Sequence, residues 1–366
     1  MSKALDLTAL RRHTVARTLF APTTLQRAIN KLGFVQADPI RAPAQAQDLT
    51  LRHRVKDYRA GDLKRRYARL AVEEDFFINH GILPRGTQRL MHPRLARTVW
   101  GVEKMRQAQA VLDFVRERGS VHPREVDAQF SHGKVSNWFG GTTNASTQLL
   151  DGMQYRGMVR IAGRAGGARL YAAAPIIEPP EDPQQHMDTL ADVVVGLYAP
   201  LPERTLKHLV SRLVFAAPQW MHLRKDTLRR LRTRLQHAKV DGHSWYWPEG
   251  ESPASKRHEP DDVVRLLAPF DPIVWDRDRF ERLWGWAYRF EAYTPAPNRV
   301  RGYYALPMLW RDQVIGWGNL AWREGKLRAD IGYVAGKPPR EAVFKRALDD
   351  ELQRMQAFLQ GATPSA

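Results

Sequence analysis

The chain has 366 residues, with 57 Lys and Arg against 39 Asp and Glu, a formal net charge of +18 and no cysteine. The missing cysteine excludes disulfides, thiolate zinc sites, iron–sulfur clusters and a cysteine nucleophile, and the hydrophobic fraction of 43% excludes general disorder. A charge this basic predicts a polyanionic partner, either nucleic acid or an anionic membrane surface.

Two features favour nucleic acid over a membrane. The first residues lack the apolar core and cleavage site of a secretory signal, and no apolar run approaches the roughly 18 residues of a membrane span. Arginine-rich segments lie at 41–69 and 224–234; either one alone is explained by a solvated helix face, but two together indicate phosphate binding. We therefore expect a cytoplasmic, nucleoid-associated protein with no membrane contact.

The N-terminal part is predicted to be helical with one short extended segment. Apolar spacing predicts helices over 5–19 and 23–32, with Gly33 ending the second. An extended segment, 34–38, stops at a proline, and helices follow over 43–53 and 61–69. This order is compatible with a helix-turn-helix module.

The middle of the chain repeats one order of elements. Helices are predicted over 98–118, near Pro123 and over 143–157, followed by two strands around a glycine-rich turn within 159–173. A proline-rich linker, 178–183, then leads to helices over 186–198, 203–213 and 223–237 and to a second hairpin ending near Gly250. Helices followed by a hairpin are the order of a winged helix.

In the C-terminal part the spacing of apolar residues changes from helical to strand-like. After a linker at 250–260, short aromatic segments broken by Pro or Gly predict a small antiparallel sheet or barrel, and 339–360 predicts an amphipathic helix. The fold class is mainly α with β: tandem winged-helix modules followed by a β-barrel-like domain. The predicted boundaries are 1–97, 98–177, 184–250, 260–338 and 339–366.

Gln36 and Asp38 form the most distinctive pair of polar residues. On a strand, residues i and i+2 point to the same side, so these two side chains should project together beside Phe34, while Val35 and Ala37 face the core. An amide and a carboxylate side by side can bind and orient a water molecule. Taken alone, an Asp before Pro is more often a turn residue that ends a strand.

Two longer strings strengthen the functional interpretation. Residues 31–55, KLGFVQADPIRAPAQAQDLTLRHRV, and residues 266–322, which begin LLAPFDPIVWDRDRF and contain YRFEAYTP and GYY, resemble the AlkZ/YcaQ family of bacterial DNA glycosylases. The family carries a Gln-x-Asp or Gln-x-Gln element near its N-terminus and a long distal string of this kind. This chain has the Gln-x-Asp version, with Pro39 where many members have a small polar residue.

The resemblance implies a fold and an activity. The fold would be tandem winged helices with a β-barrel-like domain, arranged as a C-shaped cradle for DNA. The activity would be excision of alkylated bases and, in some members, unhooking of interstrand crosslinks. Gln36 and Asp38 match the family's catalytic pair.

The residues themselves fit this chemistry. A cationic N3- or N7-alkylated purine is a good leaving group, so its release needs negative charge near the sugar, here Asp38, and a water held by Gln36. No cofactor is expected, and none of the 12 histidines has metal-ligand spacing. The expected partner of this monomer is double-stranded DNA containing alkylated bases. The candidate DNA contacts are Arg41, Arg52, His53, Arg54, Arg164 and Arg169.

A non-enzymatic winged-helix transcriptional regulator is the alternative function. The repeated winged-helix order suits both functions, whereas a regulator has no need of Gln36 and Asp38. A regulator would also usually dimerise to bind paired half-sites, and the sequence has no heptad seam.

Overall fold

The computed structural model describes residues 5–130, 133–136 and 142–360. They divide into two compact units. The first unit comprises residues 5–63, 192–210 and 228–360, and the second comprises residues 64–191 and 211–227. The five consecutive modules expected from the sequence stay a prediction, and the tail after residue 360 lies outside the described residues.

The chain is mixed α and β. Its helices within the described residues are α1 (Leu7–Thr18), α2 (Leu25–Leu32), α3 (Ala46–Leu51), α4 (Asp62–Arg66), α5 (Arg85–Arg89), α6 (Val102–Arg118), α7 (Pro123–Phe130), α8 (Ala145–Tyr155), α9 (Pro183–Tyr198), α10 (Glu203–Arg212), α11 (Arg224–Arg234), α12 (Arg277–Trp284) and α13 (Ala342–Leu359). Among these residues, no helix is long and apolar enough to cross a bilayer.

The strands are short and pair antiparallel within hairpins and one larger sheet. They are β1 (Val35–Gln36), β2 (Val72–Phe76), β3 (His80–Pro84), β4 (Lys134–Ser136), β5 (Thr142–Asn144), β6 (Val159–Ala165), β7 (Ala168–Ala173), β8 (Leu201–Pro202), β9 (Gln236–Val240), β10 (His243–Trp247), β11 (Val264–Leu266), β12 (Leu306–Trp310), β13 (Gln313–Arg323) and β14 (Lys326–Tyr333).

Local sequence explains the helix ends next to the candidate site. The Thr24 side chain accepts a hydrogen bond from the backbone N–H of Arg27 and so caps the start of α2. Gly33 ends α2 with a φ of 74°, in the left-handed region. A Cβ on Gly33 would stand 2.8 Å from Val193, so the position requires glycine for both conformation and space.

Both hairpins expected in the middle of the chain are confirmed. Strands β6 and β7 pair around Gly166–Gly167, and β9 pairs with β10, which in turn pairs with β8. The order is helix, helix, strand pair, helix, hairpin for α6 to β7, because β4 and β5 pair between α7 and α8. It is helix, strand, helix, helix, hairpin for α9 to β10.

The C-terminal segment forms a four-stranded antiparallel sheet in the order β11–β12–β13–β14. The aromatic segment 289–295 was expected to form a strand. This expectation was wrong, because the segment contains no strand and turns at 292–294. The sequence analysis also missed α12, which Asp276 caps by accepting from the N–H of Arg279, and which Gly285 ends. Phe280 of α12, Trp286 of the loop that follows it and Trp317 of β13 pack into one core. A high content of aromatic residues therefore did not distinguish strand from helix.

Candidate active site

The segment that carries Gln36 and Asp38 is buried, but it does not alternate as predicted. Strand β1 has only two residues, and Phe34, Val35 and Gln36 are all buried. Phe34 is 1% exposed and belongs to the core, and its expected place beside the two polar side chains stays a prediction. A two-residue strand is too short to impose the period of two on its neighbours.

An indole holds the Gln36 side chain in one orientation. Nε1 of Trp275 donates a hydrogen bond of 2.7 Å to Oε1 of Gln36, which is 7% exposed. The Trp275 ring lies 5.3 Å from the ring of Tyr198, centroid to centroid, and 6.3 Å from that of His208. Because the carbonyl end of the amide is occupied, the two hydrogens on Nε2 remain to bind another group.

A tight turn holds the Asp38 carboxylate. Oδ1 accepts a hydrogen bond of 2.9 Å from the backbone N–H of Ile40, and the Asp38 N–H donates to Oε1 of Gln47 at 3.2 Å. This is an Asx turn, a conformation to which Pro39 is well suited because its φ is fixed. Oδ2 has no hydrogen-bond partner among the residues that the structure describes.

Burial changes the acidity of this carboxyl group. Asp38 is 9% exposed, and burial raises its pKa, while the hydrogen bond from Ile40 lowers it in part. A carboxylate with a raised pKa is a better proton acceptor than an ordinary aspartate. The Gln36 amide offers donors and the Asp38 Oδ2 offers an acceptor, which is the set needed to bind and deprotonate a water molecule.

A groove of about 540 Å³ opens beside the loop that follows Asp38. Ala42 lines one side, and Tyr303, Tyr304, Asn319 and Leu320 from the C-terminal sheet region line the others. Tyr304 is 2% exposed and meets the ring of Phe290 edge-on, at 5.2 Å between centroids. The groove therefore reaches Ala42, four residues after Asp38 in the chain.

The described residues offer no cluster of metal ligands. Within the described ranges, no three His, Cys, Asp or Glu side chains come together in an arrangement that would hold a metal ion.

Comparison with known proteins identifies the family. A model of the family described as DNA glycosylase AlkZ-like matches residues 29–358, nearly the whole chain. The chain belongs to the AlkZ-like DNA glycosylase family. The family resemblance drawn from the two motif strings is thereby confirmed, while assignment to a Gln-x-Asp subgroup stays a prediction.

A solved structure shows the same fold. This AlkZ-like chain is similar to the Streptomyces sahachiroi DNA glycosylase AlkZ, with a TM-score of 0.63, 14% sequence identity and 97% of each chain covered. At this identity the likeness concerns the fold, a mixed α and β architecture that ends in a curled sheet.

Three of the predicted DNA contacts of this AlkZ-like chain lie in the interior of the first unit. Arg54 is fully buried, and its guanidinium forms a two-pronged ion pair with Asp271, at 2.8 and 3.0 Å. Arg52 is also buried and pairs with Glu351. Half-buried His53 lies 3.0 Å from the Leu266 carbonyl oxygen, and burial, followed by the charge of Arg52, lowers its pKa well below the usual value.

These partners argue against the predicted phosphate contacts of Arg52, His53 and Arg54. The two guanidinium groups are neutralised by carboxylates, and the imidazole is uncharged at neutral pH. A cluster of basic residues in a sequence does not reveal which of those residues have buried acidic partners far along the chain. Arg41 is exposed and stays a predicted contact.

The hairpin arginines of the AlkZ-like chain share one buried carboxylate in the second unit. Arg164 and Arg169 each lie 2.7 Å from an oxygen of Glu74, whose side chain is almost fully buried. Burial opposes ionisation of Glu74, but Arg169 and Arg164 lower its pKa overall. Both arginines are half-buried and Glu74 fixes their direction, while Arg169 also donates to Asp151.

The preceding glutamate has a similar arrangement on the other face of β2. Glu73 accepts from Arg85 at 2.9 Å and from Arg160 at 2.7 Å. Next to both, Asp75 pairs with Arg94 at 2.8 Å and with His92 at 3.1 Å. Sequence analysis had assigned no element to this acidic run.

Trp275 and Tyr304 are the functional candidates that sequence analysis missed. Both belong to the aromatic string from 275 to 322, which was assigned to the core as a whole. Neither residue lies in a strand, so no alternation in the sequence distinguishes them from aromatics that only fill the core.

Proposed function

We propose that this chain is a monofunctional DNA glycosylase that hydrolyses the N-glycosidic bond of cationic N3- and N7-alkylated purines. The observation that carries the proposal is an oriented amide, whose carbonyl is occupied by Trp275, two residues before a buried carboxylate whose Oδ2 has no hydrogen-bond partner among the described residues. Membership of the AlkZ-like DNA glycosylase family supports this reaction class.

In the proposed reaction the departing base needs no acid. The alkylated purine carries a positive charge, and cleavage of the bond between C1′ and the ring nitrogen leaves both bonding electrons on a neutral base. Positive charge develops on the sugar, and the Asp38 carboxylate stabilises it. Because this attraction is strongest in the transition state, it accelerates the step instead of only tightening binding.

Water completes the proposed reaction. Nε2 of Gln36 donates to the oxygen of the attacking water and leaves one lone pair to attack C1′. A proton of this water passes to Oδ2 of Asp38, which the raised pKa makes a competent base. Asp38 later returns the proton to solvent.

Binding of DNA is proposed to depend mainly on charge. The formal charge of +18 favours association with phosphate, and we propose Arg41, Arg164 and Arg169 as contacts. The helix–hairpin order of α6–β7 and α9–β10 supports an interpretation of these segments as winged helices. We further propose a monomer that acts on double-stranded DNA in the bacterial cytoplasm and nucleoid, and that accepts bulky adducts and interstrand crosslinks.

The test is release of free base from matched duplexes that contain N7-methylguanine, a bulky N7 adduct, uracil or undamaged guanine. We expect release of both N7 adducts and none of the neutral bases, because neutral bases leave poorly without protonation. Removal of uracil without removal of N7-methylguanine would contradict the mechanism. Binding of one preferred sequence without any base release would instead indicate a transcriptional regulator.

A further inference from the structure

Tyr304 has a buried hydroxyl group with no protein partner. The residue is 2% exposed, and its Oη makes no hydrogen bond with any group in the described part of the chain. Buried phenols normally find a partner, because an unsatisfied hydroxyl in the interior is destabilising. The neighbouring Tyr288 follows this rule, since its hydroxyl donates to the Ala305 carbonyl oxygen at 2.7 Å.

The charge environment shows which way the hydroxyl is used. Burial raises the pKa of Tyr304 far above its usual value, and the Asp38 carboxylate raises it further. The phenol therefore keeps its proton and acts as a donor. The titratable and charged groups that act on it are Asp38, Tyr288, Arg277 and Tyr293.

Asp38 is the acceptor that fits this donor. It is the one carboxylate in that set, its Oδ2 is open, and Tyr304 lines the same groove as Ala42, four residues after Asp38. We infer that the Tyr304 hydroxyl donates a hydrogen bond to the Asp38 carboxylate through one bridging water, and that Tyr304 is thereby a positioning residue for the glycosylase reaction. The inference rests on the proposed function for the role of Asp38.

This hydrogen bond has a specific use at a buried carboxylate. Burial raises the pKa of Asp38 and so favours the protonated, inactive form. A donor that binds the ionised form acts in the opposite direction and favours the charged carboxylate. The bridging water differs from the attacking water, which Gln36 holds, so the two polar neighbours of Asp38 have separate tasks.

The test replaces only the hydroxyl, in Tyr304→Phe. We expect KM for DNA and the plateau value of kcat to be unchanged. The acid limb of kcat should move up by about one pH unit as the Asp38 pKa rises, so that kcat at a fixed pH on this limb falls by up to about tenfold. The midpoint of thermal unfolding should be unchanged or higher, because the lost hydroxyl had no protein partner. A pH profile that superimposes on that of the wild type would overturn the inference.

Tyr288→Phe is the matched control. It also removes one buried phenol oxygen, but this one satisfies the Ala305 carbonyl. We expect a lower unfolding midpoint and an unchanged acid limb, the reverse of the Tyr304→Phe result. An equal shift of the acid limb in both variants would show a general effect of core hydroxyl loss and would reject a specific role for Tyr304.

A measurement without catalysis separates this inference from the proposed function. The carboxyl carbon of Asp38 can be titrated by NMR in the free protein, where Tyr304→Phe should raise its pKa. If the wild type releases no base but this pKa rises, the proposed function fails and the contact stands. If base release depends on Asp38, but Tyr304→Phe changes neither the pKa of Asp38 nor the rate of base release, only the inference fails.

Discussion

Nε1 of Trp275 donates to Oε1 of Gln36 across 239 residues of chain. The indole nitrogen is a donor and never an acceptor, so it fixes which end of the Gln36 amide faces away. Without this contact the amide could present its carbonyl instead, which would bind an attacking water by a proton and not through its oxygen.

Trp275→Phe should therefore reduce base release without removing the carboxylate. We expect kcat to fall about fivefold, the effect of one neutral hydrogen bond, with KM unchanged. Gln36→Ala should lose more than Trp275→Phe but less than any loss of Asp38, because it removes the water donor and no charge. If Trp275 acts through Gln36, the double variant will match Gln36→Ala alone; additive losses would contradict this route.

Asp38→Asn should uncouple activity from stability. Base release is expected to fall by about 10²-fold or more while DNA binding is kept, since the charge is used mainly in the transition state. The pKa of Asp38 is raised in the fold, so its contribution to stability is present at low pH and is lost as the pH rises through the folded pKa. At pH 7.5 the Asn variant should unfold at the same or a higher temperature. A lower unfolding temperature would disprove the buried-charge argument.

Arg54 and Arg41 should differ although both lie in the same basic stretch. Arg54→Ala leaves Asp271 buried without a counter-charge and is expected to lower the free energy of unfolding by about 3–5 kcal/mol. Arg41→Ala should leave urea unfolding unchanged and weaken DNA binding. Replacing both Arg54 and Asp271 by apolar residues of similar size should restore much of the stability, and failure to do so would point to packing as the main role.

Acid should lower the stability of the second unit through protonation of Asp75. Burial alone would raise the pKa of this carboxyl, but Arg94 and His92 hold it well below the usual value. Its stabilising contribution is therefore complete above the unfolded pKa, about 3.9, and is lost as the pH falls through the folded value. Asp75→Asn should lower the unfolding free energy at pH 7 and flatten its decline below pH 4. An unchanged slope would exclude Asp75 as the group responsible.

DNA affinity should fall steeply with salt. Each phosphate neutralised by Arg or Lys contributes about −0.9 to the slope of log K against log salt on duplex DNA. Arg41→Ala should reduce the magnitude of this slope by about one, whereas Arg52→Lys, at a buried ion pair, should leave the slope unchanged. Titrations at four salt concentrations with undamaged duplex are sufficient to distinguish the two.

The outcome at particular elements shows what a single sequence can reveal. Helices such as α2 were predictable because cap, apolar spacing and terminal glycine all lie within a few residues. The β6–β7 hairpin was predictable for the same reason, from alternation around Gly166–Gly167. The Gln36 and Asp38 pair was proposed from its own short motif and the family string, and its catalytic role stays a prediction.

Such local rules could not predict contacts between residues far apart in the sequence. The ion pair of Arg54 joins residues 217 positions apart, and that of Arg52 joins residues 299 apart. Charge clustering could not distinguish these arginines from Arg41, because the deciding fact is the position of an acid in another element. Helix α12 was missed where large aromatics of helix and strand fill one core.

The first unit is assembled from three stretches of chain, and this has a consequence for biosynthesis. Its N-terminal 63 residues leave the ribosome long before Trp275 is translated, so the Gln36 amide has no orienting partner for most of synthesis. The second unit, most of it the continuous stretch 64–191, can gather its residues earlier. Native contacts of such high sequence separation slow folding. A nascent chain should therefore remain catalytically silent until its last quarter emerges, and ribosome-stalled chains ending before residue 275 should bind no alkylated base productively.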